Sequence, residues 1–169
     1  VTDREDWRRA RQDIESRLAP VDILCNNAGA SALNMPVSGL SPDTWDRTVQ
    51  LNLPSVYNGV AEFVPGMCER GSGHIVNTAS INGVNPGMMQ GIYSVTKGAI
   101  INMTKAFAKE CAPQGIRVNA VLPGLTDTKF ASALTKNEQI MQAVVPKIPM
   151  ARAAAPSEIA PAILFLCSD

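Results

Sequence analysis

Apolar residues along this chain follow two alternating rhythms. Between positions 4 and 19, Trp7, Ile14 and Leu18 fall on one side among charged neighbours, which predicts an amphipathic helix. Val21 to Asn26 is a short apolar run read as a strand, with a loop over 27–40 behind it. Ser41 as N-cap, Pro42 at the first helical position and Asp43 open a long helix that runs to about Glu69. Pro54 and Pro65 each remove a backbone donor and predict interruptions in it, and Gly71 and Gly73 end it. His74 to Ala79 predicts a second strand, 81–92 a loop rich in Gly, Asn and Met, Tyr93 to Cys111 a second long helix, and Ile116 to Leu122 a third strand. Residues 125–155 predict an irregular, partly helical excursion, and Pro156 begins a final helix. Strand and helix signals in alternation predict βαβ units around a parallel sheet.

Composition narrows the class. A length of 169 residues predicts one domain, and 46% hydrophobic content is enough for a core. Fifteen basic and fifteen acidic side chains cancel, so no net field draws nucleic acid or an anionic membrane. The apolar runs are far shorter than a bilayer span. Cys25, Cys68, Cys111 and Cys167 are widely spaced with no C-x-x-C pair, which predicts structural or buried thiols in a reducing compartment, the cytoplasm. His74 is the single histidine, expected to be a half-exposed polar residue rather than a metal ligand, and no metal site is predicted.

The chemistry concentrates in Tyr93-Ser94-Val95-Thr96-Lys97, with Ser80 upstream. On a helix, positions i and i+4 share a face, so the Lys97 ammonium lies beside the Tyr93 phenol. A phenol with a pKa near ~10 is a poor proton carrier at neutral pH, and a nearby positive charge brings that value down. Ser80, arriving from a strand end, offers a hydroxyl to the same substrate oxygen. An isolated Y-x-x-x-K means little, because a Tyr and a Lys on an amphipathic helix are commonplace. Here it is joined by Asn26-Asn27-Ala28-Gly29 after the first strand, by Asn52 in Leu51-Asn52-Leu53, and by Pro123-Gly124-Leu125-Thr126-Asp127-Thr128 after the third.

In this order and spacing the chain resembles the short-chain dehydrogenase/reductase family in its compact form, over nearly its whole length. The resemblance implies a partial Rossmann-type α/β/α fold with about three strands of a parallel sheet retained, in a single truncated domain over 1–169. It implies an NAD- or NADP-dependent oxidoreductase interconverting a small-molecule secondary alcohol and a ketone. Tyr93 would be the general acid/base, Ser80 a donor to the developing oxyanion, and Lys97 both the tuner of Tyr93 and a ligand of the nicotinamide ribose. Asn52 would sit at a helix kink, its carbonyl holding a water that links Lys97 to solvent; the family usually lacks a proline where Pro54 stands. Ligands of open parallel sheets bind beyond the carboxyl ends of strands. There Asn27, Ala28 and Gly29 would let the adenosine ribose approach, with Asn26 structural. Pro123 and Gly124 would pass close to the nicotinamide, Thr126 would hold the carboxamide through its backbone, and the Thr128 hydroxyl would reach the carboxamide or pyrophosphate. For both threonines, loop capping is the plainer reading.

The family's glycine cluster T-G-x-x-x-G-I-G is not in the sequence, so an internal fragment of a longer enzyme is expected. Such a fragment would be inactive alone, with dinucleotide affinity no tighter than roughly millimolar. Met88, Met89 and Ile92 on one side and Phe130, Leu134, Met141 and Val145 on the other would wall an adaptable substrate pocket. Val56, Val60, Phe63, Ile100, Met103 and Phe107 are expected to be spare apolar residues of a helix-mediated homodimer or homotetramer. A lyase or isomerase using transient hydride transfer, or a non-catalytic scaffold of the same fold, remain the other classes to weigh.

Overall fold

Three apolar runs lie side by side as a parallel sheet in the order β1 (Ile23–Asn26), β2 (Gly73–Thr78), β3 (Ile116–Val121) in a computed structural model of the chain. Residues 1–31 and 35–168 are described, so positions 32–34 of the loop predicted over 27–40, and Asp169, lie outside the described residues. Leu24 pairs with Ile75 and Ile75 with Val118, a register that sends all three to one face. On that face Val60, Phe63 and Met67 close the larger core, with Trp7 meeting Phe63 edge-on at 6.0 Å.

Helices α1 (Arg4–Arg17), α2 (Pro42–Arg70) and α3 (Gly91–Cys111) form this layer. The opposite face, carrying Val76 and His74, is covered by α6 (Pro156–Leu166), which packs on β2 and β3. The result is the three-layer α/β/α arrangement with three parallel strands expected from the sequence. Between β3 and α6 lie only the short helices α4 (Ser132–Thr135) and α5 (Glu138–Val144) and turns, as the mixed pattern of 125–155 predicted.

Three expectations change. Helix α2 is not interrupted: it runs 29 residues through Pro54 and Pro65 and ends at Gly71, whose φ of 67° places it in the left-handed region. A proline inside a helix costs about 3 kcal/mol. Each buried Val or Phe returns about 1.5–3 kcal/mol, and Val56, Val60 and Phe63 are all buried immediately after Pro54. Packing on the sheet therefore wins over the local defect.

The same burial overturns the reading of the helix surfaces. Val56, Val60, Phe63 and Ile100 belong to the core, so these four are not spare interface residues, while Met103 and Phe107 pack against it half-buried. The outward positions that carry apolar bulk are instead Trp45 and Tyr57 on α2 and Val95 on α3. Finally, His74 is buried, at 8% exposure, rather than half-exposed, because its position in β2 faces the α6 layer.

Candidate active site

Each strand of a parallel sheet ends on the same side, and the predicted residues collect there. Beyond β2 the backbone stays extended to Ser80, held by the Ala79 N–H on the Val121 carbonyl (2.9 Å) and the Ile81 N–H on the Pro123 carbonyl (3.1 Å). The Ser80 Oγ accepts the Asn82 N–H at 3.2 Å and lies beside the Tyr93 phenol, near enough to stabilise its ionised form.

Helix α3 presents Tyr93 and Lys97 one turn apart. The Lys97 Nζ donates to the Thr78 carbonyl at 2.6 Å and lies 5.6 Å from the centre of the Tyr93 ring. A close approach fixes this arrangement. A Cβ added to Gly83 would come within 2.7 Å of the Lys97 carbonyl carbon and 2.8 Å of the Gly98 nitrogen, so only glycine lets the Ser80 loop lie flat on α3.

The electrostatics differ from the expectation. Burial pushes the Tyr93 phenol above its ordinary value, with the Ser80 hydrogen bond pulling the other way. Burial also lowers the Lys97 ammonium to about 8. Sequence reasoning had Lys97 bringing Tyr93 down. Instead the ammonium is itself stripped of water and turned to the Thr78 carbonyl, so desolvation dominates at both groups.

At the end of β1, Asn27 and Ala28 are exposed and Gly29 is half-buried. The Asn27 Oδ1 accepts the Thr78 hydroxyl at 3.1 Å. Asn26 points the other way, donating to the buried Asn77 Oδ1 at 2.9 Å, whose own amide donates to Thr104 Oγ1 at 2.9 Å. Asn26 is thus a structural residue, as expected.

Asn52 has no exposed surface. Its side chain brackets Ala30, accepting the N–H at 2.8 Å and donating to the carbonyl at 2.9 Å, and also donates to Thr96 Oγ1 at 2.9 Å. Its carbonyl accepts the Ser55 hydroxyl at 3.4 Å. The side chain of Asn52 thus has a structural task that the sequence reading, which concerned its carbonyl, did not contain.

Beyond β3, Thr126 forms an isolated parallel bridge with Ala154. Its two bonds run from the Ala154 N–H to the Leu125 carbonyl (2.9 Å) and from the Asp127 N–H to the Ala154 carbonyl (2.8 Å). In a parallel pair this leaves the N–H and carbonyl of Thr126 itself directed to the other side. The Thr126 hydroxyl donates to the Gly124 carbonyl at 3.1 Å, and the Thr128 Oγ1 accepts the Ala131 N–H at 3.2 Å, so both threonine side chains do cap the loop. A Cβ on Gly124 would meet no atom within 4 Å, which marks open space beside Pro123.

Of the predicted pocket walls, Phe130 reaches the chemistry, its ring 6.1 Å from that of Tyr93. Ile92 is core, Met88 projects almost wholly into solvent, and Met89 holds a strained φ of 60° with its carbonyl accepting the Met35 N–H. Two shallow hollows of about 420 and 480 Å³ lie along α2, lined by residues such as Arg47, Pro54, Tyr57 and Met103. Neither touches Tyr93, and the chemistry, not the size of a hollow, locates the site.

The cysteines also depart from expectation. Only Cys111 is buried; Cys25 is exposed and close enough to Cys167 to raise its thiol pKa, although 142 positions separate them (167 − 25).

Comparison with known proteins matches all of residues 1–169 to a family model described as enoyl-(acyl carrier protein) reductase. The chain is 39% identical to an acetoacetyl-CoA reductase of Rhizobium meliloti over 92% of its length and 64% of that protein. It is 37% identical to a 3-oxoacyl-[acyl-carrier-protein] reductase of Thermotoga maritima over 100% of its length and 68% of that one. A gluconate 5-dehydrogenase of Burkholderia cenocepacia, solved with NADP and tartrate, superposes with a TM-score of 0.94 at 29% identity, over 99% of this chain and 65% of the other. The chain thus spans about two thirds of the length of the proteins it matches.

Proposed function

This chain belongs to the short-chain dehydrogenase/reductase family, and from that premise we propose that it is the catalytic segment of an NAD- or NADP-dependent oxidoreductase interconverting a secondary alcohol and a ketone. The observation that carries this reading is the contact set of Ser80, Tyr93 and Lys97 beyond the carboxyl end of β2. It lies where open parallel sheets hold their ligands.

The residues present fit a dinucleotide. Asn27 and Ala28 are open at the end of β1, the Lys97 ammonium stands 3.5 Å from where a Cβ of Gly29 would be, and the space beside Gly124 is unfilled. Asn27, Ala28, Gly29, Tyr93, Lys97, Pro123, Gly124, Thr126 and Thr128 would hold it, Thr126 through its unengaged backbone N–H. When bound, the nicotinamide supplies the hydride acceptor or donor.

The protein's part is the proton. As the carbinol is oxidised, Tyr93 accepts the hydroxyl proton as the phenolate; in reduction the phenol gives its proton to the carbonyl oxygen. Ser80 donates to that oxygen as negative charge develops, an interaction worth about 3 kcal/mol when preorganised. The Phe130 ring borders the phenol, its centre 6.1 Å from that of Tyr93. Lys97 stays largely protonated at neutral pH, since its value of about 8 is still above 7. Asn52 contributes by holding the turn at Ala30.

The reading extends to a cytoplasmic enzyme, consistent with four free thiols, and to a homodimer or homotetramer using the outward side of α2 around Trp45 and Tyr57. The deciding experiment is Tyr93→Phe in the complete enzyme. Turnover should fall by about 10²–10⁴-fold, the usual share of general acid/base catalysis, with dinucleotide affinity within a few fold. A variant retaining a tenth or more of wild-type kcat overturns the assignment.

A further inference from the structure

Thr96 stands between the two reactive residues of α3 and is fully enclosed, at 0% exposure. Its hydroxyl has two engagements. It donates to the Tyr93 carbonyl at 2.9 Å and accepts from the Asn52 Nδ2 at 2.9 Å. The other Nδ2 proton of Asn52 goes to the Ala30 carbonyl and its Oδ1 takes the Ala30 N–H, so both N–H protons and the oxygen of that carboxamide are engaged. Ala30 directly follows Asn27-Ala28-Gly29. A continuous line of hydrogen bonds, half-buried at its ends and fully buried where Asn52 meets Thr96, therefore runs from the turn beyond β1, across α2, to the backbone of Tyr93 on α3.

A threonine that bonds back to a carbonyl in its own helix is ordinary. That habit accounts for the bond to Tyr93. It does not account for the oxygen lone pair aimed at Asn52, or for a side chain shared between α2 and α3 with no solvent access. The spacing around it is already tight: a Cβ on Gly29 would lie 3.3 Å from the Asn52 Oδ1 and 3.5 Å from the Lys97 Nζ. A shift of Asn52 would move the turn against the ammonium.

We propose that Thr96 is a positioning residue that, through Asn52, fixes the spacing between the Asn27-Ala28-Gly29 turn and the Tyr93–Lys97 face of α3. The functional half, that dinucleotide affinity depends on this spacing, rests on the oxidoreductase assignment. The mechanical half stands on the hydrogen bonds alone.

The test compares Thr96→Val, which keeps the shape and removes the hydroxyl, with Thr96→Ser, which restores it. Amide hydrogen exchange at Ala30, 66 positions away (96 − 30), reads the mechanical half. Thr96→Val should speed it about 10-fold or more while β3 amides keep their wild-type protection, and Thr96→Ser should bring it back. In the complete enzyme, NADP or NAD affinity should weaken about 10-fold in Thr96→Val and stay within about twofold in Thr96→Ser, with kcat at saturation changing less than KM for the dinucleotide. Should Thr96→Val not fold, Thr96→Ala against Thr96→Ser asks the same question. Unchanged exchange at Ala30, equal loss of protection throughout β3, or no rescue by serine overturns the proposal. Altered exchange at Ala30 in a protein that binds neither dinucleotide upholds the positioning role and removes the oxidoreductase assignment.

Discussion

Helix α3 and the excursion over 125–155 both border the Tyr93 phenol, yet they are built in opposite ways. Along α3, Ile92, Ser94, Thr96, Lys97, Ile100 and Thr104 are buried. Neither α4 nor α5 buries a residue, and the excursion is clipped to itself by the bridge of Thr126 with Ala154. Groups that must be held to fractions of an ångström sit on the rigid side. The surface that would face a substrate sits where the chain is loosely packed.

The sharpest way to break this contrast is at Gly83. In Gly83→Val the new side chain meets backbone of Lys97 and Gly98, which cannot move without moving the site. A loss of about 1–3 kcal/mol is expected from such overpacking. Thermal unfolding measures it, and a variant as stable as wild type would show that the Ser80 loop is not held against α3.

A smaller effect comes from Lys97. Its folded-state value of about 8 is depressed from 10.5, so between these pH values the unfolded chain binds more protons than the folded one. Stability from this group therefore rises with pH across roughly 8 to 10.5 and is lost as pH falls through 8. The raised Tyr93 opposes it only above the ordinary phenol range, and the raised Cys111 and Cys167 thiols act alike in wild type and variant, so the slope is best read as the difference between the two across pH 8 to 9.5. Denaturant unfolding of Lys97→Met should lack the upward slope, and a slope equal to wild type would place its origin elsewhere.

The smallest stability change belongs to Phe130, 57% exposed on the excursion. Phe130→Ala should alter stability by no more than about 0.5 kcal/mol, as surface substitutions do. It should still raise KM for the carbonyl substrate several-fold. Marked destabilisation would mean that the excursion is packed as firmly as α3.

The alternation of strands and helices was legible because each element carries its own period, and Ser41-Pro42 and Gly71 gave the ends of α2 locally. The closeness of Tyr93 and Lys97 was legible because they are neighbours on one helix. Thr96 was not, since its role depends on which residue of α2 it meets, and Asn52 is 44 positions away. The unbroken course of α2 through Pro54 was hidden for a related reason: the packing that overrides the proline comes from the sheet. Val56 and Ile100 were misjudged as interface residues because a helix buried against both a sheet and another helix shows a wide apolar face. His74 was misplaced because nothing in the sequence says that α6 returns to cover it.

The clip of Thr126 to Ala154 bears on how such a protein can change over generations. With both ends of the excursion joined at one point, its length hardly enters the stability of the sheet. Doubling a flexible loop adds only about 0.6 kcal/mol of closure entropy. Apart from the Tyr93–Phe130 ring contact, the side chains proposed as catalytic take no support from the residues in between. A lineage could lengthen, shorten or exchange that stretch and meet a new substrate, while Ser80, Tyr93 and Lys97 remain an inherited constant.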